Sequence, residues 1–532
     1  MTEKRVELVG FLVVLIMAAS AVQSLAQAGG GAVTAPPAKK AVAGAPAAQP
    51  AASQPAAAPQ QPPSAFEQFL QEIKKPTPWL TWGFDERLRA VYSNNMLTLD
   101  GDTVGHEREW QRFRSRLWGL FTPAENLAID TRATWEWRNW CNSYETGSTY
   151  SGAPGRGVGL ANPSAINWDE VVFDRMNFSL KKLLDTPTTL TVGRQDLFFG
   201  NGWLVGDGTP LDGSRTFFLD AVRLTNQVNE KNKLDLIYIE QQAASDQWLS
   251  PINDQERNFT EQNERGAIAY WTNTSLEKTQ IDVYYMWKHD SLPEVPPGAF
   301  PAQYPPFWAR KSDIHAVGAR AERTFDEHWK GRAEFAQEMG RQGNAGATGV
   351  VQDMQALCAF GFNGRLDYLL NDPAKNGLHV GYEYLSGDDP GTKSTDEGFD
   401  PLWGRWPQWS ELYLYTWATE TRIGEASNLH RVNLGWDTDL TPKWRLMTEY
   451  DLLFADENTG GNLLSNKYWG PDGGFSDHGK FRGQLLVAKL IYKYAPHITG
   501  HLWTEFFFPG NYYSAARNDP AVFLRYELML TF

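Results

Sequence analysis

Residues 521–532 read Ala-Val-Phe-Leu-Arg-Tyr-Glu-Leu-Met-Leu-Thr-Phe. Val522, Leu524, Tyr526, Leu528, Leu530 and Phe532 occupy one set of alternate positions, and Arg525 and Glu527 occupy the other. Successive side chains of a strand point to opposite faces. The segment therefore reads as a strand with one apolar and one charged face. Working outward, the same pattern recurs. In 443–454, Trp444, Leu446, Tyr450, Leu452 and Phe454 oppose Arg445, Glu449 and Asp451. In 127–138, Leu127, Ile129, Ala133, Trp135 and Trp137 oppose Asp130, Arg132, Glu136 and Arg138. In 110–121, Phe113, Leu117 and Phe121 oppose Arg112, Arg114 and Arg116. Comparable runs lie near 79–92, 169–181, 188–196, 218–226, 233–241, 265–272, 280–288, 313–322, 329–339, 355–366, 377–385, 409–418, 428–437, 481–493 and 497–506.

A soluble β-protein also alternates, with its polar face turned to outside water. That arrangement explains any single strand. A chain of this length would then need several domains, and no linker interrupts 79–532. A transmembrane antiparallel β-barrel inverts the arrangement: the apolar face meets lipid and the charged face lines a watery lumen. Closure also satisfies every backbone group inside the membrane. At about 25 residues for a strand and its connection, the body predicts about 18 strands. Trp79, Trp82, Trp140, Trp287 and Tyr494, near strand ends, would form interfacial girdles.

The rest of the chain agrees with an all-β exported protein. Lys4 and Arg5, an apolar run from Leu8 to Val22, and Ser24-Leu25-Ala26 read as a secretory signal over 1–26. The run is short for a membrane span, which needs about 20 residues. Residues 27–63 are mostly Ala, Pro, Gln and Gly and read as a disordered tether. Ser64-Ala65-Phe66-Glu67 fits a capping box. A short periplasmic helix and linker is predicted over 64–78, ended by Pro76 and Pro78. The barrel then occupies 79–532. Over the 532 residues the net charge is −14, which argues against nucleic acid as partner. The mean hydropathy of −0.46 follows if only half of each strand meets lipid. Two cysteines, Cys141 and Cys358, far apart in sequence, exclude a disulfide framework and read as two free thiols, with a single bridge between them as the alternative.

The inward register is rich in guanidinium: Arg87, Arg89, Arg112, Arg114, Arg116, Arg132, Arg175, Arg223, Arg431, Arg445 and Arg525. Guanidinium stays charged and forks onto carboxylate or phosphate, and luminal charge governs pore selectivity. These residues are expected to form a cationic pathway for anions, with acidic residues such as Asp388, Asp389, Asp396, Glu397 and Asp400 segregated to loops. The competing reading is structural: the same arginines pair with Asp130, Glu136, Asp174, Glu449 and Glu527 as lumen acidic partners and hold the barrel together. Arg112, Arg114 and Arg116 lie two apart, so all three share one face.

Gly193-Arg194-Gln195-Asp196, Gly200-Asn201-Gly202 and Arg215-Thr216-Phe217 resemble the alginate-export family of bacterial outer-membrane proteins. Phe113-Arg114-Ser115-Arg116-Leu117 and Trp135-Glu136-Trp137-Arg138 are similar to its early strands. The final Phe532 also resembles the terminal strand by which outer-membrane barrels are recognised for insertion. The resemblance implies an 18-stranded barrel in the outer-membrane bilayer, passing an anionic polysaccharide such as an alginate-like polyuronate, or its fragments. It implies Arg114, Arg116, Arg194 and Arg215 as pore residues. The 27–63 tether has no counterpart in that resemblance, which leaves periplasmic secretion partners open.

The same arginines suit an uptake porin for small anions, in which a long loop, with 142–167 as candidate, folds into the lumen. A barrel hydrolase is the third reading, but no Gly-x-Ser-x-Gly, His-Glu-x-x-His or phosphate loop is present. No catalytic residue, cofactor or metal is expected. The acidic loop 386–400 could offer oxygen ligands to Ca²⁺, although its spacing fits no defined site.

Overall fold

The computed structural model describes residues 65–96, 99–102, 106–141, 166–206, 218–243, 249–253, 260, 262–292, 311–343, 354–404, 409–413, 426–458, 475–476 and 478–532. The leader, the tether, most of the 142–167 loop and Arg215 lie outside these residues, as do the side chains of Trp140 and residues 166–170.

One helix, α1 (Ala65–Lys74), precedes the sheet. The strands are β1 (Leu80–Asn94), β2 (Glu107–Ala124), β3 (Leu127–Trp140), β4 (Ile166–Leu180), β5 (Thr188–Gln195), β6 (Leu219–Asn229), β7 (Asn232–Gln241), β8 (Asn263–Asn273), β9 (Thr279–Ser291) and β10 (Ser312–Thr324). They continue with β11 (Trp329–Gly343), β12 (Met354–Leu369), β13 (Gly377–Leu385), β14 (Thr395–Asp396), β15 (Leu429–Thr441), β16 (Trp444–Phe454), β17 (Phe481–Ala495), β18 (Ile498–Pro509) and β19 (Ala521–Thr531). The two-residue β14 pairs parallel with β12 from inside a connection. The other eighteen form one antiparallel meander, in which β13 pairs β15 directly and β19 closes on β1 through Asp85↔Thr531 to Asn94↔Val522. The fold is thus a closed 18-stranded antiparallel barrel, as the alternation predicts.

Short turns, such as that joining Ala124 to Leu127 and that joining Asn229 to Asn232, lie at the same end as the start of β1 and the end of β19. The long connections lie at the opposite end. At the turn end the two sides of the seam meet. Trp82 donates its indole N–H to the Ile73 carbonyl at 2.8 Å and packs on Phe532, ring centroids 5.1 Å apart. Lys74 sits over the Phe532 ring.

Alternate positions face opposite sides throughout. Asp85, Arg87, Arg89, Val91 and Ser93 of β1 are buried inside, while Phe84 is exposed outside. Leu117, Ile129, Phe178, Val283, Val317, Leu434, Leu502 and Tyr526 are exposed on the exterior, all around the wall. Aromatics ring both ends of that wall. Trp79 stacks on Phe121, Trp329 meets Tyr368 and Trp444 stacks on Tyr492 at the turn end. Phe360, Tyr384, His430, Phe454 and Phe481 ring the loop end. On β16, Trp444 and Phe454 mark the two girdles, about 34 Å of strand apart at about 3.4 Å per residue. Tilted by about 40°, that strand spans about 26 Å, close to the height of an outer-membrane apolar band. The exterior is therefore a lipid-facing surface, and no helix among the described residues is long and apolar enough to cross a membrane.

Within the strand predicted at 409–418, Glu411–Tyr413 is instead a helical turn inside the barrel, and 414–418 lie outside the described residues. Leu412 and Tyr413 are both fully buried, although neighbours on a strand would face opposite sides. The run is apolar on both parities because it packs against luminal contents rather than lipid.

β5 and β13 are the two shortest barrel strands, and each hands the chain inward. Gly193 makes the end of β5 feasible. Its φ is +120°, and a Cβ there would lie 2.4 Å from the Met176 carbonyl oxygen on β4. A side chain at that backbone conformation costs about 1–3 kcal/mol, before the clash. Gly193→Val should therefore lower the temperature at which the barrel loses its fast, compact gel migration in detergent. An unshifted transition would show that β5 does not need this approach.

Candidate functional site

The inward register of β1 and β2 brings Arg112 opposite Arg89, Arg114 opposite Arg87 and Arg116 opposite Asp85. All are buried or nearly so. Arg108 lies buried on the same face of β2. Six guanidiniums thus share these two inward faces with one carboxylate, Asp85. Neighbouring strands supply the others. Arg87 pairs with Glu136 at 3.1 Å and Arg89 with Glu527 at 2.6 Å. Glu136 also lies 3.6 Å from Arg112. Asp85 holds Arg116 at 2.8 Å and lies 3.6 Å from Arg114, whose Nε makes no hydrogen bond. Among the described residues Asp85, Glu136 and Glu527 pair with this ladder, whose own two inward faces carry six guanidiniums to one carboxylate.

The next strands are closely paired. Arg132 forks onto Asp174, with Nε 2.9 Å from each oxygen, and onto Asp196 at 2.9 and 3.1 Å. Arg175 reaches Asp130 at 3.2 Å. Arg194 binds Asp220 at 2.9 Å, donates to the Phe173 carbonyl and lies over the Phe218 ring at 4.0 Å. Arg223 binds Asp235 at 2.8 Å. Across the barrel, Arg431 binds Glu383, Glu449 and Asp451 at 2.8–3.1 Å. Arg445 binds Asp437 and Asp439, and Arg525 binds Glu411 at 2.8 Å. The structure therefore places Asp130, Glu136, Asp174, Glu449 and Glu527 each against one of the arginines read from sequence.

Charge is not segregated as the sequence suggested. Asp235, Glu264, Asp282, Asp290, Glu334 and Glu338 are buried on the inner face of β7–β11, and Asp400 is buried there too. The reason is that this wall packs against chain rather than against water. Lys288 and Arg320 neutralise part of it, through Asp290 at 3.2 Å and Asp282 at 3.0 Å. The lumen thus has a cationic side at β1–β2 and an acidic side at β7–β11. Sequence reading missed Arg108, Arg320, Arg332, Arg365 and Arg482. Each but Arg482, which lies beyond the register shift at Gly483, stands in the same alternate register that revealed the others; Asp85, two residues before Arg87, was equally readable.

Two inward segments occupy the lumen. Residues 197–206 follow β5, and 395–404 and 409–413 lie between β13 and β15. The first two stretches join through Trp403 N–H to the Leu204 carbonyl at 2.9 Å and Gly206 N–H to the Trp403 carbonyl at 3.2 Å. Trp403 fills the space left by Gly266 on β8, where a Cβ would stand 2.3 Å from the indole. Asp400 N–H donates to Glu338 on β11. On the other side, Glu505 of β18 accepts from Ser410 Oγ at 2.6 Å, Glu411 N at 2.8 Å and Leu412 N at 3.0 Å. The Arg431 guanidinium stacks on Trp409 at 4.5 Å. With eighteen strands in the ring and β14 outside it, β8 and β18 stand on opposite walls. Trp403 and Ser410 therefore sit across the lumen from each other.

Among the described residues, no three His, Cys, Asp or Glu side chains are placed to hold a metal ion. In the 386–400 connection, Glu397 N–H donates to Asp388, and Asp389 caps Gly391 N–H. Burial, and then the Asp396 charge, push the Asp388 carboxyl up to about 7. The folded loop then binds a proton that the unfolded chain releases above pH about 3.9, so loop stability falls as pH rises from about 4 through about 7. Amide exchange across 387–398, corrected for intrinsic rate, should be faster at pH 8 than at pH 5.5. Slower exchange at pH 8 would contradict that sign. Cys141 and Cys358 are both free and exposed.

A family model described as alginate export matches residues 160–524. No curated protein matches the chain significantly. Solved structures resemble it in fold. OpdK of Pseudomonas aeruginosa, solved with vanillate, is 12% identical, covering 85% of this chain and 98% of that one at a TM-score of 0.48. OpdL of Pseudomonas aeruginosa is 12% identical over 85% and 98%, with a TM-score of 0.49. OccAB4 of Acinetobacter baumannii is 10% identical over 86% and 100%, with a TM-score of 0.48.

Proposed function

The chain belongs to the alginate export family of outer-membrane channels, and on that premise we propose that its lumen conducts an anionic saccharide, a polyuronate or its fragments. The carrying observation is the β1–β2 ladder, with its surplus of inward guanidiniums facing an acidic wall at β7–β11. A carboxylated chain is drawn to the first wall and repelled by the second, which fixes its track. Each uronate carboxylate can replace a shared partner, since Asp85 and Glu136 each lie near two arginines of the ladder. The turn end faces the periplasm, because outer-membrane barrels place short turns there and long loops outside. Cleavage of residues 1–26 and a periplasmic tether at 27–63 complete this reading.

A second reading, a porin for small anions, is favoured by one feature: Trp403 packs inside the β8 wall and Ser410 inside the opposite β18 wall, so inward-packed residues narrow the lumen from both sides. Current through the purified channel in a planar bilayer separates the two. A uronate oligomer should block at concentrations where a neutral oligomer of equal length does not. Block by monomeric uronate as strong as block by the oligomer would favour the small-anion porin. No block by either would remove uronates as cargo.

A further inference from the structure

We propose that Arg332 and Arg365 form a carboxylate-binding site at the periplasmic mouth, on the wall away from the β1–β2 ladder. The two arginines stand directly opposite each other on β11 and β12. Like charges in that position destabilise a strand pair, so such a pair needs a compensating anion. Among the described residues no carboxylate comes within 4.0 Å of Arg332. On its other side Glu322 of β10 is its register partner, but the Glu322 carboxylate is bound to Arg320. Asp367 is taken by Arg365, at 2.6 Å to Nη2 and 2.8 Å to Nε, and Glu334, two residues on along the same face of β11, accepts from the Tyr284 hydroxyl. Arg332 is left without a hydrogen bond or an ion pair within 4.0 Å among the described residues.

This separates Arg332 from the other luminal arginines named above. Each of those has a protein carboxylate or another partner, so barrel stability alone accounts for its presence. Arg332 makes no ion pair among the described residues, although the carboxylates of Glu322, Asp367 and Glu334 stand near enough to attract it. Its position adds a reason. Trp329 and Tyr368, beside it on the same strand pair, belong to the turn-end girdle, so Arg332 lies just inside the mouth. Arg365 and Asp367 are 28% and 24% exposed, which leaves the site open to a solute. A carboxylate entering there meets two guanidiniums, the fork geometry that binds it through parallel hydrogen bonds. Arg332 has all its donors to offer, and Arg365 retains those Asp367 does not use.

The inference rests on the anionic cargo proposed above and specifies where that cargo first binds. The test is block of single-channel current by a uronate trimer added on the periplasmic side, for the wild type, R332Q and R332K. R332Q should weaken block about tenfold, the loss of one charge-assisted contact. R332K, which keeps charge but not the fork, should fall between. The heat-modifiable gel transition of R332Q should be unchanged or higher, since no protein partner is lost; a purely structural arginine would lower it. Unchanged block in R332Q, with the wild type blocked, overturns the site and leaves the cargo intact. A wild type that no uronate trimer blocks overturns the cargo and the site together.

Discussion

Replacing Glu505 with alanine should raise single-channel conductance severalfold while the barrel stays closed. Glu505 is fully buried and holds Ser410 Oγ, Glu411 N and Leu412 N at once. Its removal strands three donors, at about 1–3 kcal/mol each if they stay dry. The segment lowers that cost by leaving the β18 wall and hydrating. It is also held by the Arg525–Glu411 bridge at 2.8 Å, by Tyr413 edge-on to Phe507 of β18 and by the Trp409 stack on Arg431, so the barrel stays closed while only the polar anchor is lost. Glu505→Gln should be intermediate, because an amide keeps one acceptor oxygen and adds donors where acceptors are needed. Ser410→Ala, which deletes one of the three bonds, should have the smallest effect. Unchanged conductance in a well-folded Glu505→Ala channel would show that 409–413 does not narrow the path.

The second large effect is on stability. Asp174 is fully buried, and Arg132 beside it is 6% exposed. Asp174→Ala takes from Arg132 the carboxylate that its Nε binds, and breaking one side of a buried ion pair costs about 3–5 kcal/mol. The loss should be near the lower figure, since Asp196 keeps both Nη groups at 2.9 and 3.1 Å. Replacing both partners, Arg132→Met with Asp174→Leu, should recover part of it, because the pair itself becomes apolar while Asp196 loses both Nη contacts and keeps Arg175 at 3.7 Å. Urea unfolding of the barrel in lipid vesicles measures both. An Asp174→Ala barrel as stable as the wild type would mean that water already reaches this pair.

The barrel was legible because its signal is local. Each strand states its own two faces, and the girdle aromatics sit at strand ends. Pairing was only half legible. That Arg87 binds Glu136 and Arg89 binds Glu527 depends on register between strands, one pair of which joins the two ends of the chain. The luminal contents were not legible at all. Leu412, Tyr413 and Trp403 are as apolar as lipid-facing residues, and composition cannot say which side of the wall covers them. The buried acids of β7–β11 escaped for the same reason. Alternation says that Asp282 and Glu334 point inward, but not that an inward segment rather than water meets them. Arg332 stood in plain register, and only the pairing of its neighbours gives it meaning.

The most direct measurement of the central claim is the reversal potential of the purified channel in a planar bilayer under a potassium chloride gradient. A lumen governed by the guanidinium surplus on β1–β2 prefers chloride, and that preference should shrink as salt rises, because the screening length falls from about 10 Å at 0.1 M to about 3 Å at 1 M. Arg114→Gln with Arg116→Gln should move the potential towards zero. A wild-type channel that prefers potassium at low salt would contradict an anion pathway along this wall.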